Sequence, residues 1–169
     1  MTTTRTTTPT RTHVQTATYL ADAVLGSIAD ILGTLGVDAT VLFADWDQDS
    51  RAIAAWITEQ SLAAAVLELH HRNGTVDPVL EFPVRYRTGG EGDSTFTTDR
   101  ASLARYLAKL RSVPAGTTHK LVCVFAGAHS PQPGWSAGTR APVAGLRANT
   151  FGTLASAPHA TAQLRYYTT

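Results

Sequence analysis

The last quarter of the chain, after Gly127, is the feature that most limits the possible folds. Glycine and proline recur so often there that no long helix can form, because proline lacks a backbone N–H and glycine favours irregular backbone. The same stretch carries large apolar side chains, which cannot build a core of their own between so many interruptions. We therefore predict loops and short strands that lie on a core formed by the preceding residues. The interrupting residues are Pro131, Pro133, Gly134, Gly138, Pro142, Gly145, Gly152 and Pro158, and the apolar ones are Trp135, Phe151, Leu154, Leu164, Tyr166 and Tyr167.

Three earlier segments have the pattern of amphipathic helices. In the first, from Thr18, apolar residues recur at steps of three and four until Gly36, a typical helix stop. The second begins with residues 45–49, whose three aspartates suit a helix N-terminus, and ends near Glu59. The third begins at residues 98–99. The apolar positions of the three helices are, in order, Leu20, Val24, Leu25, Ile28, Ile31, Leu32 and Leu35; Ile53, Trp56 and Ile57; and Leu103, Tyr106, Leu107 and Leu110.

The strand signals predict a hairpin and one further strand. Residues 62–71 and 79–87 flank Asn73-Gly74, which favours a tight turn, and the second run alternates between apolar and charged residues. This alternation predicts one buried and one wet face. The short apolar run 121–125 is typical of a central strand. Together with the helices, these signals predict a single α+β domain, an antiparallel sheet with helices on one face. The alternating residues are Leu80, Phe82, Val84 and Tyr86 against Glu81, Arg85 and Arg87, and Gly89, Gly90 and Gly92 predict a flexible connection after them.

Charge and composition exclude several kinds of protein. The chain has 169 residues and a formal charge of +1, so no bulk field draws it toward nucleic acid or a membrane. Residues 1–13 are rich in threonine and predict a flexible tail. The following apolar stretch is interrupted by Asp22 and Asp30, which argues against a signal peptide or a membrane span. The single cysteine, Cys123, excludes a disulfide within the chain and favours the cytoplasm.

No pattern in the chain predicts a metal site. Residues 45–49 resemble the start of a calcium loop, but Ser50 and Trp56 stand where that loop needs glycine and glutamate. The adjacent pair His70 and His71 would point to opposite faces of a strand. The other four histidines are isolated in sequence, which is unlike the spacing of zinc ligands. They are His13, His119, His129 and His159.

Catalytic motifs are equally absent. Cys123 lies within an apolar run, where burial raises the pKa of a thiol and makes it a poor nucleophile. The chain has no nucleophile elbow and no phosphate-binding loop, and we predict no cofactor. One enzymatic alternative remains open, a small α+β enzyme with a site at His119, His129 or His159. It predicts a concave polar pocket that contains a histidine with a shifted pKa.

Several spread-out segments resemble the bacterial family of HORMA domains. They are ADWDQDSRAIAAWITEQSL, VLEFPVRY, RYLAKLRSVPAGTTHKLVCVF, PGWS and FGTLASAPHATAQLRYY, and the resemblance covers about residues 12–167. It implies three helices packed on one face of a three-stranded antiparallel sheet, followed by a C-terminal segment called the safety belt. The implied division is a tail over residues 1–13, a core over 14–127 and the belt over 128–169.

The resemblance also implies a peptide-binding site. In HORMA domains the belt wraps around a partner peptide, the closure motif, which pairs with the last core strand near the third helix. Apart from the resemblance, Arg105 and Lys109 lie one helical turn apart, which by default indicates a solvated helix face, with a surface for a protein partner as the sharper alternative. The implied peptide-binding residues are Leu103, Tyr106, Leu107, Leu110, Lys120, Val122, Val124 and Ala126, and those of the belt are Trp135, Phe151, Leu154, Leu164 and Tyr166.

The family further implies a non-catalytic adaptor in anti-phage defence. The closed, peptide-bound form would activate a cGAS/DncV-like nucleotidyltransferase, and an AAA+ ATPase would reopen it. A HORMA-fold scaffold without an activating role is an alternative, as is a chain that offers its tail to another HORMA protein. The N-terminal tail would either be engaged by the ATPase or be an inert solubilising segment.

Overall fold

The computed structural model describes residues 7–87 and 95–169, with side chains from residue 12 onward. Long helix α1 comes first, followed by two further helices, a hairpin, a short strand with a fourth helix, and three strands. The elements are α1 Thr7–Leu35, α2 Thr40–Ala44, α3 Trp46–Thr58, β1 Leu62–His70, β2 Val76–Tyr86, β3 Thr97–Thr98, α4 Arg100–Leu107, β4 Thr118–Phe125, β5 Arg147–Ala157 and β6 Ala160–Thr168. The glycine-rich connection predicted at Gly89, Gly90 and Gly92 lies outside the described residues.

Helix α1 begins earlier than its apolar pattern predicts. The prediction of a flexible tail is wrong for residues 7–13, which form the first turns of α1. A helix that already exists extends at little cost through residues of moderate propensity, because nucleation is the expensive step. The ring of His13 also stacks on that of His159 with centroids 3.7 Å apart, which ties this end of the helix to the C-terminal part of the chain.

The apolar face of α1 supplies the centre of the core. By length and composition, Thr12–Leu35 could cross a membrane, but half of its most apolar window is buried inside the protein. The seven apolar positions predicted for this helix are all buried, and Ile53, Trp56 and Ile57 of α3 are buried against the same core. At the start of α4, Asp99 accepts a hydrogen bond from the Ser102 backbone N–H at 3.0 Å, as the predicted start requires. Helix α2 had no sequence signal of its own.

Within the described residues the sheet has six antiparallel strands in the order β3-β5-β6-β2-β1-β4. The expected three-stranded core is present as β2, β1 and β4, but the predicted strand number is too low. The belt adds β5 and β6 beside β2, and β3 extends that edge. The predicted hairpin is confirmed as β1 and β2. The run 121–125 lies in β4 at the sheet edge and not in its centre. Its side chains are covered nonetheless, by the main core on one face and by the belt on the other.

The two faces of the sheet are covered differently. Residues on one face, including Leu67 and Phe82, pack under the helices. On the other face Ala64, Val66, Val79 and Val122 form a smaller cluster that Val143 and Leu146 cover. The prediction that this second face is wet is therefore wrong for Glu81, which is only 4% exposed. This face does carry the polar residues of the alternating pattern, but the belt lies across it.

Candidate peptide-binding site

The outer edge of β4 is the starting point of the site. Strand β4 pairs with β1 along one side, for example Val66 with Val122 and Leu69 with His119. On its other side β4 ends the sheet, and no strand in the described ranges pairs with it. An exposed strand edge presents a row of unpaired N–H and C=O groups that readily accept another strand. The edge of β4 is thus a template for one added strand.

The connection from β4 to β5, residues 128–146 (the belt loop), is first anchored on the helix side of the sheet. The indole N–H of Trp56 in α3 donates a hydrogen bond to the Ser130 carbonyl at 2.8 Å. The Ser130 backbone N–H donates to Glu59 Oε1 at 2.9 Å. Further along, the Trp135 ring packs edge-on against Trp56 with centroids 5.2 Å apart. The end of α3 therefore holds the first part of the belt loop.

The belt loop is anchored again on the opposite face of the sheet. Arg140 Nη1 lies 2.9 Å from Glu81 Oε2, and the Ala141 backbone N–H donates to Glu68 Oε2. Residues 143 and 146 then cover the smaller apolar cluster of that face. Because Trp135 lies on the helix side and Arg140 on the other, residues 136–139 must pass around the free edge of β4. The belt loop therefore encircles this edge.

Between the belt loop and the strand edge lies a cavity of about 560 Å³, which we call the channel. Its walls come from α3, from β4 and from the belt loop, so a strand added to β4 would be enclosed by all three. Backbone hydrogen bonds would supply affinity there, and the pockets for alternate side chains would supply selectivity. The lining residues are Trp56, Lys120, Leu121, Val122, Cys123, Phe125, His129, Ser130, Pro131, Gln132, Gly134, Trp135, Ser136, Ala137 and Gly138.

Beyond the belt loop, β5 and β6 form the C-terminal hairpin, which is fastened to the core at two places. Arg165 Nε donates to Glu81 Oε1 at 3.0 Å, so that Glu81 holds both the belt loop and the hairpin. On the helix side, the ring of Tyr106 packs edge-on against Phe151 at 5.3 Å and Tyr166 at 5.1 Å. Leu154 and Leu164 are buried in the main core. The hairpin is consequently an integral part of the packed domain.

The structure divides the predicted site residues into two groups. Lys120, Val122 and Trp135 line the channel, and Val124 packs in the smaller apolar cluster beside Val122. Ala126 follows β4, where its N–H donates to the Ser61 carbonyl. The residues predicted on the third helix do not join them. Leu103, Tyr106, Leu107 and Leu110 pack with the main core and with Phe151, Leu154, Leu164 and Tyr166 of the hairpin.

This division has a simple geometric cause. Helix α4 packs on α1 and β5, toward the edge of the sheet opposite to β4. Leu103 and Leu107 are 1% and 3% exposed, so neither can reach a peptide at the β4 edge. Arg105 and Lys109 are exposed, and Arg105 donates a hydrogen bond to the Ser102 hydroxyl at 2.9 Å.

Sequence reasoning missed Trp56, Glu68, Glu81 and Arg140 as parts of the site. Trp56 has the pattern of a core residue, and nothing in the sequence shows that its N–H binds the belt loop. Glu81 lies at a polar position of an alternating strand, which normally indicates solvent, and Glu68 is a lone charged residue in an apolar strand. Only their burial, at 1% and 4% exposure, reveals that they hold the belt. A buried carboxylate requires such partners, because an unpaired charge is costly to bury.

Titratable groups near the channel are shifted by burial. Burial raises the pKa of Asp49 to about 6; the charge of Asp45 adds to this, and the Trp135 indole partly offsets it. The indole N–H of Trp135 is buried without reaching hydrogen-bond geometry. Burial, and the charge of Asp49, raise the pKa of Cys123 to about 12. Cys123 is thus a thiol at neutral pH, although it is only partly buried and lines the channel.

The histidines do not converge on one site. His119 lies in β4, where burial lowers its pKa, with hydrogen bonding to Asp38 opposing this shift. His129 stacks on Phe125 at 3.5 Å, and His159 stacks on His13. Among the residues that the structure describes, no group of three or more His, Cys, Asp or Glu is placed to hold a metal ion.

Solved structures with the same architecture show the fold of the chain. The chain superposes on a protein in the crystal structure of a mitotic checkpoint complex with a TM-score of 0.73 at 11% identity, over 90% of this chain and 98% of that one. It is also similar to C. elegans HTP-1 bound to a HIM-3 closure motif, with a TM-score of 0.66, 11% identity and coverage of 88% and 87%. A third match is the E. coli MS115-1 HORMA:CdnC:Trip13 complex, with a TM-score of 0.62, 13% identity and coverage of 98% and 93%. The fold is HORMA-like.

The family follows from the sequence. The family model described as bacterial HORMA domain 2 matches residues 1–169, and the chain belongs to this family. This confirms the predicted resemblance. No curated protein is similar enough in sequence to be matched to the chain.

Proposed function

We propose that the protein is a non-catalytic adaptor that holds a closure-motif peptide as an added strand on β4 under the belt loop. The observation that carries the proposal is the encircled strand edge, because a strand that enters the channel gains ladder hydrogen bonds and is enclosed on three sides. The free edge of β4, the anchors of Ser130 and the anchor of Arg140 to Glu81 all serve this one arrangement.

The belt position corresponds to a closed state in this proposal. The hairpin pairs with β2, on the side of the sheet away from the channel, so the belt loop must pass around β4. A peptide would favour this state over a state with the belt elsewhere only through its greater affinity for the closed one. Removing a peptide would then require the belt loop to open.

A cut in the belt loop tests the mechanism directly. A twelve-residue random peptide library displayed on phage and selected on the full chain would supply a ligand. A protease site placed in residues 136–139 would then allow the belt loop to be cut while the hairpin stays paired with β2. We expect cutting to raise the dissociation rate of the peptide by at least 100-fold. The matched control is the same protease site at the exposed residues 72–74 of the β1–β2 turn.

Two results would contradict the proposal. Failure to select any peptide would contradict peptide binding itself. A dissociation rate that is unchanged by the cut would be compatible with peptide binding but would contradict the role of the belt loop in it. Slow exchange of β4 backbone amides in the bound state, followed by hydrogen exchange, is expected as independent support because those N–H groups would then join a ladder.

We further propose that the peptide-bound form binds and activates a cGAS/DncV-like nucleotidyltransferase in the bacterial cytoplasm, as part of anti-phage defence, and that an AAA+ ATPase reopens it. Support comes from the family and from the fold shared with the HORMA:CdnC:Trip13 complex. Reconstitution with the partner nucleotidyltransferase should give more messenger product with the peptide than without it. If the peptide-bound form does not stimulate the nucleotidyltransferase, the protein is a scaffold without an activating role. Addition of the ATPase with ATP should reverse any stimulation.

A further inference from the structure

A second concave surface lies away from the channel. It is a cleft of about 330 Å³ where the β1–β2 turn, the connection from α4 to β4 and the two ends of the hairpin meet. No residue lines both this cleft and the channel. We call it the basic cleft, because Lys109, Arg111 and Arg147 lie along its wall.

The positive charge of the basic cleft is not neutralised within the described parts of the chain. The side chains of Lys109, Arg111 and Arg147 are exposed, and none of them forms an ion pair or a hydrogen bond there. The acidic residue in the wall, Asp77, accepts a hydrogen bond from the Thr169 hydroxyl through Oδ2 at 2.7 Å. Its Oδ1 is buried without a hydrogen-bond donor. The cleft therefore combines three unpaired cations with the single carboxylate of Asp77.

The basic cleft is built from two parts of the chain that the hairpin position brings together. Lys109 and Arg111 follow α4 in the core, whereas Arg147 begins β5 of the hairpin. They lie together because the hairpin pairs with β2 and because Tyr106 packs on Tyr166. If the hairpin left this place, Arg147 would leave with it. The composition of the cleft therefore depends on the place of the hairpin.

We propose that the basic cleft binds an acidic segment of a protein partner, and that it does so only while the hairpin occupies its present position. Arginine presents a planar fork that matches a carboxylate, so Arg111 and Arg147 suit aspartate and glutamate side chains. Opposite charges across an interface give selectivity among partners. Three cations in one short cleft are too few for the extended phosphate track that nucleic acid requires.

The test uses the full chain without any channel peptide. The probe is a fluorescein-labelled decapeptide of alternating glutamate and glycine, compared with a glutamine–glycine decapeptide and an oligothymidylate of ten nucleotides, by fluorescence anisotropy at low salt. We expect the acidic peptide alone to bind, with Arg147→Glu and Arg111→Glu each lowering its affinity by about tenfold. Arg51→Glu, an exposed arginine on α3, is the matched control and should change the affinity by less than twofold.

Three outcomes would overturn the inference. Equal binding of the glutamine peptide would show that the cleft does not select for negative charge. Loss of binding in Arg111→Glu but not in Arg147→Glu would show that the hairpin is no part of the site. Tighter binding of the oligonucleotide through the same residues would assign the cleft to nucleic acid. None of these results bears on peptide capture in the channel, so this inference and the proposed adaptor function fail separately.

Discussion

Arg140 Nη1 of the belt loop lies 2.9 Å from Oε2 of Glu81, a buried residue of β2. The other oxygen of the same carboxylate accepts from Arg165 of the hairpin. The Glu81 side chain therefore holds both the belt loop and the hairpin on the face of the sheet that lies away from the helices.

Replacing Glu81 should loosen the belt. Glu81→Gln leaves Arg140 and Arg165 without their shared carboxylate, and we expect a loss of about 1–3 kcal/mol in the free energy of unfolding. This is less than for a fully buried pair, because both arginines are partly exposed. Hydrogen exchange of residues 136–146 should also become faster. Asp47→Asn removes the same charge at an exposed position and is the control, measured by urea denaturation. Unaltered exchange in the belt loop would count against this role.

Shortening Trp135 should weaken peptide capture. Trp135→Ala removes the ring that packs on Trp56 and part of the channel wall. Aromatic pairs contribute about 0.5–1.5 kcal/mol beyond their buried area, so we expect about a tenfold loss in affinity for a selected peptide. Isothermal titration calorimetry measures this change. Phe96→Ala, which removes an exposed ring that contacts Tyr19 instead, should leave the affinity unchanged.

The shifted carboxyl of Asp49 predicts a pH dependence of stability. Because burial raises its pKa from 3.8 to about 6, the folded state holds the proton more tightly than the unfolded state. Its contribution to stability is therefore complete below pH 3.8 and is lost as the pH rises through 6. Asp49→Asn should remove this slope and stabilise the protein at pH 7 by about 1 kcal/mol, a value reduced because the group is half exposed. Urea denaturation between pH 4 and 7.5 checks it; equal effects at both ends would contradict the assignment.

Cys123 should resist alkylation in the folded protein. Burial raises the pKa of its thiol to about 12, so very little thiolate exists at pH 8. We expect iodoacetamide to modify the native chain at least 100-fold more slowly than the chain in 6 M guanidinium, as measured by intact mass. Rapid modification of the native protein would show that the thiol is not protected where it lines the channel.

Local patterns predicted most of the elements of the core. The helical period of residues 20–35, the Asn73-Gly74 turn and the Asp99 helix start all act over a few residues, and each is found where its pattern places it. Tyr106 shows the limit of such patterns. The helical period predicts that Tyr106 is buried, and the family resemblance implies that it contacts the peptide. Only the packing of the hairpin reveals that its ring contacts Phe151 and Tyr166.

The C-terminal segment illustrates the same division on a larger scale. Its glycines and prolines correctly predict a segment that must lie on the core. They do not show that Leu154 and Leu164 complete the main core, so that deleting everything after residue 128 would remove core side chains as well as the belt.

The sequence by itself determined that this chain forms helices on an antiparallel sheet and ends in a segment unable to fold alone, because periodicity and turn chemistry are local properties. Tertiary structure alone decided that this segment encircles the β4 edge, buries Glu68 and Glu81, and brings Arg147 beside Lys109 and Arg111. Such contacts join residues far apart in the chain, and they depend on which edge of the sheet the hairpin pairs with. No local pattern specifies that choice.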